Sequence, residues 1–214
     1  MNLNARYQNL KKFFTSNYDP NTHWEKWGKE TKAVDVYANP HKLEMKMKRV
    51  NALLNHLDSI RFESVLDFGC GWGFVSKFVL EKYPINDYVV FDASSERISE
   101  AKIHLKDFNV EFHASLIEDF HTKKKFDLLL GTGILHHIRP EKIKPILQHL
   151  LNFTKHDFIH DDPPPGFRTD VKIDKTTFNF YHDYKQIWKE LGYDVNVISI
   201  PGHKTRAIYH VKVN

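Results

Sequence analysis

Residues Val65-Leu66-Asp67-Phe68-Gly69-Cys70-Gly71-Trp72-Gly73 form an apolar run closed by an acid and three alternating glycines, and this stretch limits the fold more than any other part of the chain. The run itself reads as a buried strand. The glycines read as a turn where backbone approaches a ligand, because a residue without Cβ tolerates φ > 0 and leaves its N–H and C=O groups accessible. The ligand expected at such a turn is nucleotide-like. A dinucleotide fingerprint places its third glycine three residues after the second, over a pyrophosphate. Here Gly69, Gly71 and Gly73 alternate, and Asp67 stands two residues before the first of them. A carboxylate at that point repels a phosphate and suits a cation.

The segment Asp67 to Gly73 resembles motif I of class I S-adenosylmethionine-dependent methyltransferases, whose ligand carries an ammonium and a sulfonium and no phosphate. Other segments resemble the same family in the same order. Tyr88-Val89-Val90-Phe91 reads as a strand ending in Asp92, about twenty residues past the glycines, where an acid accepts the hydrogen bonds of a ribose. Val110 to Phe120 is similar to the family's third strand and adenine-contacting loop. Leu116 stands where the family carries an aspartate, which leaves the backbone at Ile117 for the adenine. Phe126 to His137 is similar to the fourth strand, from its Phe-Asp-Leu start through Gly131-Thr132-Gly133 to its Leu-His-His continuation.

The resemblance implies an α/β, Rossmann-like fold with a seven-stranded, mostly parallel sheet, helices on both faces and an antiparallel last strand. It implies S-adenosylmethionine as methyl donor and S-adenosylhomocysteine as product. The cofactor residues it implies are Asp67, Gly69, Cys70, Gly71, Gly73, Asp92, Ala93, Leu116, Ile117, Gly131 and Thr132. In the family an N-terminal arm commonly covers the cofactor, which gives Trp24 and Trp27 of this chain a place over the adenine or near the sulfonium.

Composition agrees with one enzyme-sized unit. The chain has 214 residues, enough for one α/β domain and a modest extension. Its net charge of +4 is spread rather than blocked, which is too weak to demand nucleic acid. The single cysteine, Cys70, excludes an internal disulfide, and no apolar run approaches the roughly twenty residues of a membrane span. With no signal-peptide core at Met1 to Arg6, the expected setting is cytoplasmic, as a monomer or homodimer.

Periodicity divides the chain into an arm over residues 1–58, containing a helix from Pro40 to Leu57, and a methyltransferase core over residues 59–214. Within the core, strands at Val65, Val89, Val110 and Phe126 alternate with helices, one of them capped by Ser94. A fifth strand is expected at Phe158-Ile159-His160, a helix over Phe180 to Leu191, and strands over Val195 to Ile200 and Ala207 to Val213. A substrate-facing insertion is expected at about residues 161–178, because ligands of such sheets bind beyond the carboxyl ends of the strands.

The reaction implied is displacement at a sulfonium methyl. An acceptor that must lose a proton needs a base, and His137, His160 and His182 are the candidates, with Asp161 as an orienting partner. Arg168, Lys172 and Tyr181, with Tyr37 of the arm, are candidate contacts for a small, anionic acceptor. No metal is expected, because the cluster at His160, Asp161 and Asp162 lacks a cysteine partner or a repeated histidine spacing. Asp162-Pro163-Pro164-Pro165 follows the fifth strand and lacks a final aromatic, so it departs from the Asp-Pro-Pro-aromatic motif of DNA amino-methylating enzymes. An RNA methyltransferase and a cofactor-binding subunit without catalysis are the alternatives.

Overall fold

The computed structural model describes residues 19–164 and 179–213, so Arg168 and Lys172 lie outside the described residues. The arm opens with α1 (Pro20–Glu30) and α2 (Ala33–Tyr37), followed by α3 (Pro40–Leu57). Local chemistry sets these helix starts. Asp19 accepts the Thr22 N–H at 3.2 Å and Asn39 the Lys42 N–H at 3.0 Å, and each is followed by a proline at the first helical position.

The core runs β1 (Ser64–Phe68), α4 (Phe74–Lys82), β2 (Asp87–Asp92), α5 (Ser95–His104), β3 (Glu111–Ala114), β4 (Phe126–Thr132), α6 (Ile143–Leu151), β5 (Thr154–Asp162), α7 (Tyr184–Glu190), β6 (Val195–Ser199) and β7 (Ala207–Lys212). Its seven-stranded sheet has the order β3-β2-β1-β4-β5-β7-β6. β1 through β5 are mutually parallel, and β7 runs antiparallel to both β5 and β6. This is the α/β, Rossmann-like class expected from the sequence.

Each face of the sheet buries its own apolar layer. Leu66, Phe68, Leu129 and Phe158 pack against α6 and α7 through Ile146, Leu150, Tyr184 and Trp188. On the other face Val65, Val90, Leu128 and Ile159 meet Leu53 and Leu57 of α3 and Val79 of α4. α3 is therefore one wall of the core. Successive strand residues point to opposite faces, which is why Leu66 and Val65 belong to different layers.

Some elements differ from their expected extents. β5 runs on through Asp161 and Asp162 because these pair with Ile208 and Ala207 of β7, and Asp161 also with Thr132 of β4. The residues expected to begin a loop are thus the buried end of a strand. β3 is short and yields to a 3₁₀ turn at Ile117–Asp119. α7 begins at Tyr184 because Asp183 caps it, accepting the Gln186 N–H at 3.1 Å, while the Phe180 N–H bonds to the His136 carbonyl.

Asp67 lies inside the fold, 1 % exposed, beneath the glycine turn. Its Oδ2 accepts from Ser76 Oγ at 2.6 Å and from the Tyr88 hydroxyl at 3.4 Å, and its Oδ1 has no hydrogen-bond partner. Burial raises its pKa from 3.8 to about 7. Between those values the folded protein keeps a proton that the unfolded chain releases, so stability falls as pH rises through the window. Asp67→Asn should remove that loss. Urea unfolding of the ligand-free protein should show wild type losing ~3 kcal/mol more than the variant between pH ~4.5 and ~7.5. Parallel pH profiles for the two proteins would contradict this reading of Asp67.

Candidate functional site

The glycine turn closes β1 and opens α4. Gly69, Gly71 and Gly73 have φ of 69°, 57° and 79°, the left-handed region that favours glycine. The Gly71 N–H donates to Asp92 Oδ2 at 2.9 Å, and the Ser94 N–H donates to Asp92 Oδ1 at 2.9 Å. A Cβ on Gly71 would meet nothing within 4 Å, so the turn faces open space. That space is a cavity of ≈ 440 Å³ along the carboxyl ends of the strands. Gly69, Cys70, Gly71, Asp92, Ala93, Leu116, Ile117, Thr132, Trp24, Trp27, His137 and Asp161 all line it.

Other candidates lie elsewhere, each for a physical reason. Asp67 is not among the lining residues, being held beneath the turn by Ser76 and Tyr88. Gly131 is a packing glycine, since a Cβ there would fall 2.1 Å from the Phe68 ring. Gly73 starts α4 and sits against Leu105. His160 is wholly buried, with Nδ1 bonded to Asp162 Oδ2 at 2.9 Å, Nε2 accepting from Trp188 Nε1 at 3.1 Å, and its ring stacked 4.7 Å from that of Tyr209. With both nitrogens engaged it cannot take a proton from an acceptor. His182 donates from Nε2 to the Ile138 carbonyl at 2.9 Å and does not line the cavity, nor does Tyr181. Tyr37 packs on Trp72 at 5.5 Å, outside the lining.

Residues not anticipated from the sequence complete the wall. Lys46 and Arg49 project from α3, His136 from the turn after β4, and Arg206 from the residue before β7. Arg49 Nε donates to Asp161 Oδ2 at 2.6 Å. The Arg206 guanidinium lies against His136, with Nη1 3.0 Å from Nδ1 and Nη2 3.2 Å from Nε2. His136 Nδ1 is 2.7 Å from Asp162 Oδ1, which also accepts the His136 backbone N–H at 3.1 Å. Burial would raise the Asp162 pKa, but the bonds from His136 and His160 win and hold that carboxyl well below the ordinary range. Burial lowers the His136 pKa, and Arg206 adds to the effect. Lys46 Nζ lies 6.0 Å from the Trp72 ring centroid and 5.2 Å from that of Phe74, and burial brings its pKa down from 10.5 to about 8.

Pro20, Trp24 and Trp27 of the arm line this cavity. Trp24 meets the His137 ring edge-on at 4.6 Å, and Trp27 lies 4.8 Å from the Arg97 guanidinium. Glu25 accepts the Ser95 N–H at 2.8 Å at the start of α5.

A cofactor with a ribose and an amino-acid moiety fits these residues. Each Asp92 oxygen takes one backbone N–H and retains a lone pair for a ribose hydroxyl. A second anion at Asp92 would be repelled, which disfavours a pyrophosphate. Lys46, beside Trp72 of the glycine turn, would supply a cation for an amino-acid carboxylate.

Comparison with known proteins agrees. Residues 65–157 match the model of a methyltransferase domain. The chain is 30% identical over 146 residues to malonyl-[acyl-carrier protein] O-methyltransferase 2 of Ilyobacter polytropus, covering 67% of this chain and 52% of that one. It is 31% identical over 109 residues to the malonyl-[acyl-carrier protein] O-methyltransferase of Acetivibrio thermocellus, covering 50% of this chain and 37% of that one. The chain thus spans about half or less of the length of these relatives. In fold it is similar to the magnesium protoporphyrin IX methyltransferase of Synechocystis PCC 6803, solved with bound S-adenosylmethionine. That match has a TM-score of 0.71 at 14% identity and covers 93% of this chain and 99% of the other. The chain thus carries a methyltransferase domain over residues 65–157 and shares the class I, Rossmann-like methyltransferase fold.

Asp92→Ala should weaken S-adenosylhomocysteine binding by ~1–3 kcal/mol through lost charged hydrogen bonds, and Gly71→Val should abolish it by filling the open space at the turn. Calorimetric titration measures both. Wild-type affinity in Asp92→Ala would mean that the ribose is held elsewhere.

Proposed function

We propose that this chain binds S-adenosylmethionine in the cavity and transfers its methyl group to an oxygen or nitrogen atom of a small metabolite bearing an anionic group. The observation that carries this reading is that one cavity joins Asp92 and the glycine turn, with Lys46 beside Trp72, to Arg49 and Arg206 on its β4–β5–β7 side. The relatives named as malonyl-[acyl-carrier protein] O-methyltransferases support it.

When bound, S-adenosylmethionine supplies a methyl group on a sulfonium, which is an excellent leaving group. The chain's own task is therefore alignment, and correct placement alone can contribute several kcal/mol. Asp92 and the turn at Gly71 fix the nucleoside, Leu116 and Ile117 border the base, and Lys46 counters the amino-acid carboxylate. Trp24, Trp27 and the rest of α1 roof the cavity and exclude water, so we assign the arm the role of a lid.

A small anionic acceptor held by a few cations should show a shallow salt dependence, whereas RNA neutralised along several phosphates would dissociate steeply with salt. Calorimetry should show binding of S-adenosylmethionine and S-adenosylhomocysteine and none of NAD. Methyl incorporation into total RNA, with no small-molecule product, would favour the RNA alternative.

A further inference from the structure

We infer that α1 of the arm holds the ribose-binding acid in its working geometry, so that Gly28 and Glu25 are positioning residues for Asp92. This rests on the cofactor reading above, in which Asp92 takes the ribose hydroxyls, and couples the seating of the arm to that hold.

The short turn that carries Asp92 into α5 is the point of contact. Asp92 Oδ1 accepts the Ser94 N–H at 2.9 Å, two residues on, and Oδ2 accepts the Gly71 N–H at 2.9 Å, so the direction of the carboxylate depends on where Ser94 stands. Ser94 is 1 % exposed. Gly28, the buried residue of α1, lies directly on it: a Cβ there would collide with Ser94 Oγ and stand 3.1 Å from Ser94 Cβ. A residue without Cβ is what lets the helix come so close. The next residue of the turn is held from the same side, because Glu25 accepts both the Ser95 N–H at 2.8 Å and the Ser95 hydroxyl. The arm thereby satisfies an N–H that the first turn of α5 leaves unpaired, and its carboxylate meets the positive end of the helix dipole.

Arg97, further along α5, ties down the rest of α1. Its side chain is buried, its guanidinium lies 4.8 Å from the Trp27 ring centroid, and it donates to the Thr31 hydroxyl just beyond the helix. Trp24, Trp27, Gly28 and Thr31 recur at helical spacing, so one stripe of α1 meets both the cavity wall and the turn after Asp92. Lifting the arm therefore strips Ser94 of this packing and Ser95 of its bond to Glu25. The Asp92 backbone keeps its place, since its carbonyl accepts the Ser115 N–H at 2.9 Å, but the side chain loses the support that aims it. Opening the arm thus loosens the ribose hold as it uncovers the cavity. By linkage, a bound ribose favours the seated arm by the same factor.

Neither Glu25 nor Gly28 lines the cavity, which separates this role from that of a cover. A cover treats all nucleosides alike, whereas support for Asp92 acts only on a ligand with ribose hydroxyls.

The test measures, by calorimetry on the full chain, affinities for S-adenosylhomocysteine and for its analogue lacking both ribose hydroxyls. In wild type the analogue should bind roughly ten- to a hundredfold more weakly. Gly28→Val should weaken S-adenosylhomocysteine by roughly fivefold or more and shrink the gap between the two ligands to about threefold or less. Glu25→Ala should shrink it in the same direction, and Glu25→Gln, which keeps an oxygen for the Ser95 N–H, should restore most of it. Trp24→Ala removes part of the roof and leaves the seat on Ser94, so it should weaken both ligands and keep the gap. Amide exchange over residues 20–30 should slow more on saturation with S-adenosylhomocysteine than with the analogue. A gap of wild-type size in both Gly28→Val and Glu25→Ala, or equal protection of α1 by the two ligands, overturns the proposal and leaves the methyltransferase reading standing. A wild type that binds both ligands equally also overturns it, because the ribose would then be held away from Asp92. Failure of S-adenosylhomocysteine to bind wild type removes both readings together.

Discussion

Everything at the site depends on β1 being hydrogen-bonded in parallel to β2 on one side and β4 on the other. The chain leaves β1 toward β2 and β3, then crosses back to lay β4 on the opposite edge. The connections above β1 must therefore part, and a crevice opens over the carboxyl end of that strand. The glycine turn stands at that parting. The Gly69 and Cys70 N–H groups bond back to the Phe91 carbonyl of β2 at 2.8 and 3.1 Å, which pins the turn to one side and keeps the other open. Asp92, the next residue of β2, then has nowhere to point but across the turn.

The cavity inherits a polarity from this arrangement. Its β2–β3 side carries Asp92 and Glu118, and its β4–β5–β7 side carries Arg49 and Arg206, with Lys46 reaching in from α3. Adjacent acids on β5 divide the task of holding those cations. Asp161 shares a sheet face with Ile159, the face α3 covers, and there it meets Arg49. Asp162 shares the opposite face with Phe158 and His160, where it meets both histidines. Strand alternation thus lets two neighbouring carboxylates serve two different layers without facing each other.

The sequence made the scaffold legible wherever a strong local pattern met a strong backbone requirement. The glycines, the acid at Asp92 and the uninterrupted apolar strands are of this kind, and so is α3 with its proline and Asn39 cap. The loop at Leu116 and Ile117 could be placed on the cavity wall even though Leu116 departs from the family pattern. The β4–β5–β7 side of the cavity was not legible in the same way. Arg206 gains its meaning only from the antiparallel register that puts β7 beside the end of β5, and no local pattern reports a register between segments about fifty residues apart. Arg49 reads locally as one more basic residue on a helix rich in lysine. It becomes a site residue because Val50 and Leu53 bury the adjoining stripe and carry it to the cavity edge.

The histidines show why residue type alone misled. His160 and His182, two of the three histidines read as candidate bases, each look suited to proton transfer near neutral pH, yet each is tied by a bond that removes its freedom, while His137 lines the cavity. In an interior of low dielectric, a neutral imidazole with one N–H donated and one lone pair satisfied is a good structural group and a poor base. The network Asp162–His136–Arg206 applies this directly. The carboxylate fixes the ring, the ring supports the guanidinium, and the guanidinium carries the charge to the cavity. Buried polar groups are costly unless every member is paired, so this chain of contacts is stable only as a set.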